Sequence, residues 1–251
     1  MSEFAGRVAF ITGGASGLGR AAAQQLSAAG ASVVVADVQH DAARVLAEEL
    51  SANGTPSIHS PCDVRDDRAI ETAVSATLER FGKLDIAINA AGIGGPEVRT
   101  AEYDPEEWDR VIDINLNGVW RCMRHEIRAM LLSDGGVIVN IASVAGLIGF
   151  PRHPAYAASK HGVVGLTKTA ALEYGRRGVR INALCPGFTL TPMVQHMIDA
   201  GLPIETLSAR VPLGRLGTAD EVAATALYMC SSASAFMSGH ALTIDGGLVA
   251  G

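Results

Sequence analysis

Short apolar runs alternate along this chain with longer segments whose apolar residues recur at helical spacing. An apolar run of about four to eight residues between turn residues is typical of a strand buried in a parallel sheet. By this criterion we predict strands at residues 8–11, 32–36, 58–64, 84–88, 136–143, 180–184 and 241–244.

Helical spacing fills the intervals between these runs. We predict helices that end near residues 29, 53, 81, 132, 176 and 231, the last of them capped by Asp220. Residues 191–213 are loosely helical, rich in methionine and leucine and bounded by proline and glycine, so we interpret about 188–214 as a mobile lid. Strands alternate with helices and no linker, charge run or repeat divides the chain, which predicts one α/β domain over residues 1–251.

Composition narrows the class of protein. Of the 251 residues, 48% are hydrophobic and 18% charged, and the formal net charge of −6 disfavours nucleic acid or an anionic membrane as a partner. Four cysteines without a CxxC pair indicate reduced core thiols, with neither metal spacing nor a disulfide framework. The chain begins without the layout of a signal peptide, and residues 136–150 are too short to span a bilayer, so we expect a soluble cytoplasmic protein.

A glycine-rich loop follows the first predicted strand. The sequence TGGASGLG at residues 12–19 stands between that strand and an alanine-rich helix. Glycines allow the backbone to approach a pyrophosphate, and a helix N-terminus supplies free N–H groups, so this context predicts a dinucleotide site. Glycine also collects in ordinary turns, and the loop alone is therefore a weak signal.

The second predicted strand ends in Asp37. A carboxylate there can accept hydrogen bonds from both adenosine ribose hydroxyls and would repel a 2′-phosphate. The alternative role is a cap for the helix beginning near Asp41. Methyltransferases that bind an adenosyl cofactor carry the same strand-end acid, so the loop and Asp37 together leave two cofactor classes open.

Two further strand ends carry candidate contacts. A strand ending at Asp63 would present its carboxylate to an adenine amino group, and Val64 follows it. The small residues after Asn89 would let a cofactor lie against the next strand end. An ordinary strand-to-loop turn is the alternative explanation for Asn89–Gly92.

Three side chains capable of proton chemistry lie between residues 143 and 160. Tyr156 and Lys160 are four residues apart, about one helical turn, so they project from the same helix face. An ammonium beside a phenol favours the phenolate and makes proton exchange feasible near neutral pH. Ser143, at the end of a predicted strand, offers a hydroxyl to an oxygen that develops charge. The spacing YxxxK alone is common by chance.

Asn115 occupies the middle of a long predicted helix at residues 106–132. Asparagine is poorly suited to that position because its side chain competes with the backbone for hydrogen bonds. We therefore expect either a local distortion of the helix at residues 113–117 or a buried polar network.

The ordered set TGGASGLG, Asp63-Val64, NAAG, Asn115, Ser143, YAASK, PGFTLT and the closing DGG resembles the short-chain dehydrogenase/reductase family. The resemblance extends from Phe4 to Gly251 and excludes the methyltransferase reading, which has no use for Ser143 and Tyr156. It implies a Rossmann-like, doubly wound, seven-stranded parallel sheet with helices on both faces.

The resemblance also implies roles. Tyr156 would be the general acid/base that exchanges a proton with the substrate oxygen. Lys160 would hold the nicotinamide ribose and tune Tyr156, and Ser143 would hydrogen-bond the reacting oxygen. Asn115 would anchor a water that relays protons to solvent.

Cofactor contacts follow from the same resemblance and from Asp37. The family more often has isoleucine or valine at Thr189, so that contact departs from the pattern. The predicted cofactor residues are Gly13, Ser16, Gly17, Leu18, Gly19, Asp37, Asp63, Val64, Asn89, Ala90, Gly92, Tyr156, Lys160, Pro186, Gly187, Thr189 and Thr191. Asp37 and the non-basic Ser16 favour NAD over NADP.

The predicted substrate wall is mostly apolar, and we expect an uncharged secondary alcohol or its ketone, with oxidation as the direction. The residues assigned to this wall are Ser143, Ile148, Phe150, His153, Phe188 and Met193. The alternatives are a 3-oxoacyl thioester reductase served by an acyl carrier protein, with a basic rim from Arg152, Arg176, Arg177 and Arg180, and a dinucleotide-binding sensor without turnover.

A homotetramer is expected by resemblance, with helix faces that include Val164, Ala170 and Ala171 at a two-fold contact.

Overall fold

A parallel sheet of seven strands forms the centre of the computed structural model, which describes residues 3–199 and 201–250. Its strands are hydrogen-bonded in the order β3-β2-β1-β4-β5-β6-β9, and β7 and β8 form a separate short ladder. The strands are β1 (Val8–Thr12), β2 (Ser32–Asp37), β3 (Ser57–Pro61), β4 (Ile86–Asn89), β5 (Gly136–Ile141), β6 (Val179–Pro186), β7 (Thr189–Leu190), β8 (Gly217–Thr218) and β9 (Ala241–Ile244). The doubly wound seven-stranded sheet is confirmed.

Helices cover both faces of this sheet. They are α1 (Gly17–Ala28), α2 (His40–Ala52), α3 (Asp67–Phe81), α4 (Pro105–Ile112), α5 (Gly118–Met130), α6 (Pro154–Tyr174), α7 (Pro192–Asp199), α8 (Ile204–Ser208) and α9 (Ala219–Cys230). Successive strand residues point to opposite faces, so Ala9 and Ile11 join the core beneath α1, α2 and α9, while Phe10 joins the core beneath α3, α5 and α6. The predicted lid, 188–214, contains α7 and α8, and its residue 200 lies outside the described residues.

Two strands end earlier than the sequence predicts. Strand β3 stops at Pro61, because Asp63 turns back locally and accepts a hydrogen bond from the Arg65 amide at 3.0 Å. Strand β5 stops at Ile141, and Ser143 instead caps a short 3₁₀ turn by accepting from the Ala145 amide at 3.1 Å. Both predicted site residues therefore lie on loops just beyond their strands.

The cap predicted for the last helix is wrong by two residues. Thr218 is the N-cap of α9, and it forms a reciprocal pair of hydrogen bonds with Glu221. Asp220 lies in the first turn, where it receives a hydrogen bond from Gln25. A capping box satisfies two amide donors at once, which a lone aspartate does not.

The expected interruption of the long helix is confirmed. Residues Asp113–Asn117 form a π-helical turn between α4 and α5, and Asn115 within it is fully buried. Single π turns are frequent at functional sites because they redirect side chains. All four cysteines are buried free thiols, as predicted. Within the described part of the chain, none of the helices combines the length and apolarity that crossing a bilayer requires.

A buried polar network lies under the carboxyl ends of β4 and β5. The Asn89 amide donates to Glu126 Oε2 and to Asn140 Oδ1, each at 3.0 Å, and the Asn140 amide donates to Thr167 at 2.9 Å. Glu126 is inaccessible to solvent, and its Oε1 has no hydrogen-bond partner. An ionised carboxylate in such a place is costly, so the neutral acid is favoured.

Glu126 makes the stability of the fold depend on pH. Burial raises its pKa to about 8, against the opposing hydrogen bond from Asn89. The folded state therefore keeps a proton that the unfolded chain releases above its ordinary pKa. This stabilisation is complete below that ordinary pKa and is lost as the pH rises towards about 8.

We expect Glu126→Gln, which stays neutral, to remove this dependence. The free energy of unfolding of the wild type should fall relative to that of the variant between pH 5 and 8, by at most ~1.4 kcal/mol per pH unit. Urea unfolding at several pH values measures the difference. Glu79→Gln, at an exposed position of α3, is the control. A difference between wild type and Glu126→Gln that stays constant with pH would contradict the assignment.

Candidate active site

A cavity of about 550 Å³ lies where the strands of the main sheet end. Ligands of open α/β sheets bind at this edge because loops from several strands meet there. Most of the predicted cofactor residues line it, namely Gly13, Ser16, Gly17, Leu18, Asp37, Asp63, Val64, Ala90, Gly92, Tyr156, Lys160, Pro186, Gly187, Thr189 and Thr191.

The glycine loop has the geometry of an anion site. Gly13 has a positive φ of 62°, and a Cβ there would lie 2.7 Å from the Ala91 amide nitrogen, so only glycine fits. Ser16 is the N-cap of α1 but makes no side-chain cap hydrogen bond, which leaves the first amides of the helix uncapped. Such amides and the helix dipole favour a phosphate.

Asp37 is buried at the end of β2, with 5% of its surface exposed. Its two carboxylate oxygens accept from the amides of Ala15 and Gln39, each at 2.9 Å. These bonds fix the carboxylate beside the glycine loop, and each oxygen retains a lone pair that can face the cavity. The alternative role as a cap of α2 is not observed, because that helix has Gln39 as its N-cap.

Asp63 is held by a partner that the sequence did not reveal. The Arg65 guanidinium contacts both carboxylate oxygens at 2.6–3.1 Å, and this hydrogen bonding lowers the pKa of Asp63. Arg65 also lines the cavity. Any adenine contact of Asp63 therefore shares the carboxylate with Arg65.

Two predicted cofactor residues do not line the cavity. A Cβ on Gly19 would lie 2.2 Å from the Gly13 carbonyl oxygen, so Gly19 permits close packing of the loop on α1. Asn89 directs its side chain into the buried network under the site. Gly19 and Asn89 therefore influence the cavity only through the backbone segments that border it.

Ser143, Tyr156 and Lys160 line the same cavity, as their pattern predicts. Helix α6 places Lys160 one turn after Tyr156, with the ammonium 5.7 Å from the centre of the phenol ring. The ammonium donates to the Ile141 carbonyl at 2.7 Å, which fixes its position at the end of β5.

The protonation states differ from the expectation for this pair. Burial raises the pKa of Tyr156, and a hydrogen bond with Ser143 acts in the opposite direction. Burial lowers the pKa of Lys160 to about 8. The expected depression of the Tyr156 pKa by the lysine is absent, because the ammonium faces a backbone carbonyl and is itself desolvated. At neutral pH Tyr156 therefore carries its proton and can donate it.

Asn115 holds the loop that follows β4. Its Oδ1 accepts from the Ile93 amide and its Nδ2 donates to the Ile93 carbonyl, both at 2.9 Å. Nδ2 also donates to Ser159 at 3.2 Å. Asn115 does not line the cavity, but Ile93 does. The polar network expected around this residue is thus present.

The predicted substrate residues lie in three different places. Ser143 and Met193 line the main cavity. Phe150, His153 and Phe188 do not line it. Phe150 packs against His153 and Phe188 at ring-centre distances of 5.0 and 6.1 Å, and Phe188 stands in the chain between the lining residues Gly187 and Thr189. The remaining residue, Ile148, is 38% exposed.

Arg210 was missed by sequence reasoning, and Arg152, named there only for a basic rim, has a different role in the structure. The Arg210 guanidinium lies over the rings of Phe150 and Phe188, at 5.8 and 5.0 Å, and so joins the lid segment to this wall. Arg152 has a positive φ of 67°, unlike any other non-glycine residue that the structure describes. Such a conformation costs on the order of 1–3 kcal/mol. No sequence pattern reveals these contacts, since both residues act through segments distant in the chain.

The donor set suits a dinucleotide. The cavity combines an uncapped helix N-terminus, a buried carboxylate beside it and, at the other end, a hydroxyl, a phenol and an ammonium. The described residues include no group of three or more histidine, cysteine or acidic side chains able to hold a metal ion.

Comparison with known proteins identifies the family. A sequence model described as Enoyl-(Acyl carrier protein) reductase matches residues 13–249. The chain is 40% identical to 2,5-dichloro-2,5-cyclohexadiene-1,4-diol dehydrogenase of Sphingobium indicum, over 100% of both chains. It is also 40% identical to cyclohexanol dehydrogenase of an Acinetobacter species, over 98% of this chain and 96% of that one.

A solved structure shows the same similarity. The crystal structure of levodione reductase matches with a TM-score of 0.92 and 39% identity, over 98% of this chain and 99% of that one. The similarity therefore extends over nearly the whole of each protein.

Proposed function

The chain belongs to the short-chain dehydrogenase/reductase family and is an oxidoreductase acting on CH–OH groups, and on this premise we propose that it interconverts a cyclic secondary alcohol and its ketone with NAD(H). The observation that carries the proposal is the presence of Ser143, Tyr156 and Lys160 in one cavity with an uncapped glycine loop.

The proposed chemistry divides between cofactor and protein. A nicotinamide supplies the hydride acceptor or donor when bound. Ser143 donates to the reacting oxygen, and Tyr156 exchanges a proton with that oxygen. Lys160, fixed by the Ile141 carbonyl, orients the sugar next to the nicotinamide.

We expect Tyr156→Phe to lower kcat by about 10²–10⁴-fold, since it removes the proton acceptor without changing the shape of the cavity. The dissociation constant for NAD, measured by fluorescence titration, should stay within about twofold. Lys160→Ala should weaken both turnover and cofactor binding.

In the wild type, the rate of alcohol oxidation should rise with pH because only the phenolate accepts a proton, and burial raises the pKa of Tyr156.

Tyr174→Phe, at the far end of α6, is the matched control and should keep wild-type rates. Wild-type turnover by Tyr156→Phe would refute the acid/base role. A wild type that binds NAD tightly and turns over none of the alcohols would instead support the sensor reading.

The preference for NAD is proposed from the charges around Asp37. The residues that follow it, Val38 and Gln39, line the cavity and carry no positive charge. The two arginines of the described lining are both paired with carboxylates, Arg65 with Asp63 and Arg110 with Glu107. A 2′-phosphate would therefore meet a buried carboxylate and no unpaired cation near it, which costs several kcal/mol.

We expect kcat/KM to favour NAD over NADP by at least ~100-fold, or about 2.7 kcal/mol. Asp37→Asn should reduce this ratio by at least ~10-fold, because it removes the charge and keeps an acceptor oxygen. Asp63→Asn, in the same cavity, should leave the ratio unchanged. Equal efficiency of the wild type with both cofactors would refute the proposal.

The proposed substrate is an uncharged cyclic secondary alcohol. Met193 lines the cavity, and the packed rings of Phe150 and Phe188 follow next to the lining residue Gly187, a surrounding that suits an apolar ring. The names of the relatives, cyclohexanol dehydrogenase and a cyclohexadienediol dehydrogenase, support a ring. The basic rim that a carrier protein would need is weakened, because Arg152 pairs with Glu97 and Arg180 donates to backbone carbonyls of Met229 and Met237.

An assay of cyclohexanol and related ring alcohols with NAD, against acetoacetyl thioester with NADH and NADPH, separates the two substrate classes. We expect turnover of the ring alcohols and at least ~100-fold lower kcat/KM with the thioester. Turnover confined to the thioester would establish the acyl reductase instead.

Assembly into a homotetramer is also proposed. Support comes from large apolar side chains on the outer surface, among them Leu172 on α6, 87% exposed, and the fully exposed Phe236. The faces first assigned to a contact are different, since Val164, Ala170 and Ala171 belong to the core under α6. Light scattering at micromolar concentration should give four times the chain mass, and a monomer would contradict this.

A further inference from the structure

The segment from Ile93 to Val98, here called the strap, follows β4 and borders the reactive end of the cavity. Ile93 lines the cavity together with Ser143 and Tyr156. A Cβ on Gly94 would lie 3.7 Å from the sulfur of Met193, so the strap also adjoins α7. Its conformation therefore shapes the space next to the catalytic side chains.

The first attachment of the strap is buried. Asn115 makes both backbone hydrogen bonds of Ile93, and its side chain is inaccessible to solvent. This end is fixed by the π-helical turn between α4 and α5.

The second attachment is made by Arg152, four residues before Tyr156. Its Nε donates to Glu97 Oε1 at 2.8 Å and its Nη2 donates to the Glu97 carbonyl at 3.2 Å. The Val98 amide donates to the Arg152 carbonyl at 2.8 Å. Three contacts thus join the strap to the turn that precedes the catalytic helix α6.

Stability alone does not account for this arrangement. The side chains of Arg152 and Glu97 are 51% and 52% exposed, and ion pairs of that exposure contribute little. The positive φ of Arg152 is unfavourable for any residue with a Cβ, and a turn under no other demand is better served by glycine or asparagine. Strained residues that persist cluster at functional sites.

We propose that Arg152 is a positioning residue for the substrate, holding the strap through Glu97 over the reactive end of the cavity. The inference rests on the proposed function for the identity of the ligand, an alcohol. Asp37 is held by the amides of Ala15 and Gln39, outside the strap, so we expect this attachment to affect the alcohol more than the cofactor.

Arg152→Gly tests the proposal, because glycine relieves the backbone strain while removing the guanidinium. We expect the KM for the alcohol to rise about tenfold, with the KM for NAD within about twofold and no loss of melting temperature. Glu97→Ala should have the same effect, and the double variant should be no worse than either single one. Arg44→Ala, which breaks an exposed ion pair on α2, is the control.

An unchanged KM for the alcohol would overturn the proposal. So would a lower melting temperature accompanied by equal changes for alcohol and NAD, since that result indicates a purely structural role.

Hydrogen exchange provides a readout that needs no turnover. Amides of residues 97–98 should exchange at least ~10-fold faster in Arg152→Gly than in the wild type, while those of β1 stay unchanged. Unaltered exchange in the strap overturns the inference. A wild type without alcohol turnover, but with this change in exchange, would contradict the proposed function and leave the attachment supported.

Discussion

Burial of a parallel sheet on both faces is the constraint on which this structure depends. Every residue of β1 is buried, with alternate side chains in two separate cores. All strands of this sheet run in one direction and are joined by crossover connections. Their carboxyl ends therefore meet at one edge of the sheet. That geometry brings Asp37, Ser143 and Pro186, which are far apart in the chain, to a single cavity. The position of the cavity therefore follows from the parallel arrangement of the strands, which the helices on both faces require.

Beneath the cavity the protein buries polar groups at a cost. Asn89, Asn140 and Glu126 lie in the core under the strand ends, and Lys160 is buried one layer above them. Nearly all of their polar atoms are hydrogen-bonded, which keeps the cost tolerable and fixes each side chain in one orientation. The unpartnered Oε1 of Glu126 is the exception, and its neutral form explains how it persists. The cavity thus rests on a floor of hydrogen-bonded polar side chains.

The side that we propose for the substrate is built differently. Its wall depends on aromatic contacts and on half-exposed arginines, Arg152 and Arg210, from segments outside the sheet. Such contacts are individually weak and readily altered by substitution, whereas the floor is constrained by close packing. This division suits a family whose members share one cofactor chemistry and differ in the alcohol that they accept.

The order of strands and helices, the glycine loop and the grouping of Ser143, Tyr156 and Lys160 follow from the sequence, because each depends on local periodicity, on turn chemistry or on a spacing of one helical turn. The same holds for the distortion at Asn115, since asparagine is a poor helix former. Only the tertiary structure decided that Asn89 faces the core, that Arg65 occupies Asp63, and that burial raises the pKa of Tyr156 despite the nearby lysine. It alone also revealed the attachment of Arg152 to Glu97. These features arise from contacts between segments distant in the chain and from desolvation, and neither leaves a mark on the pattern of the sequence.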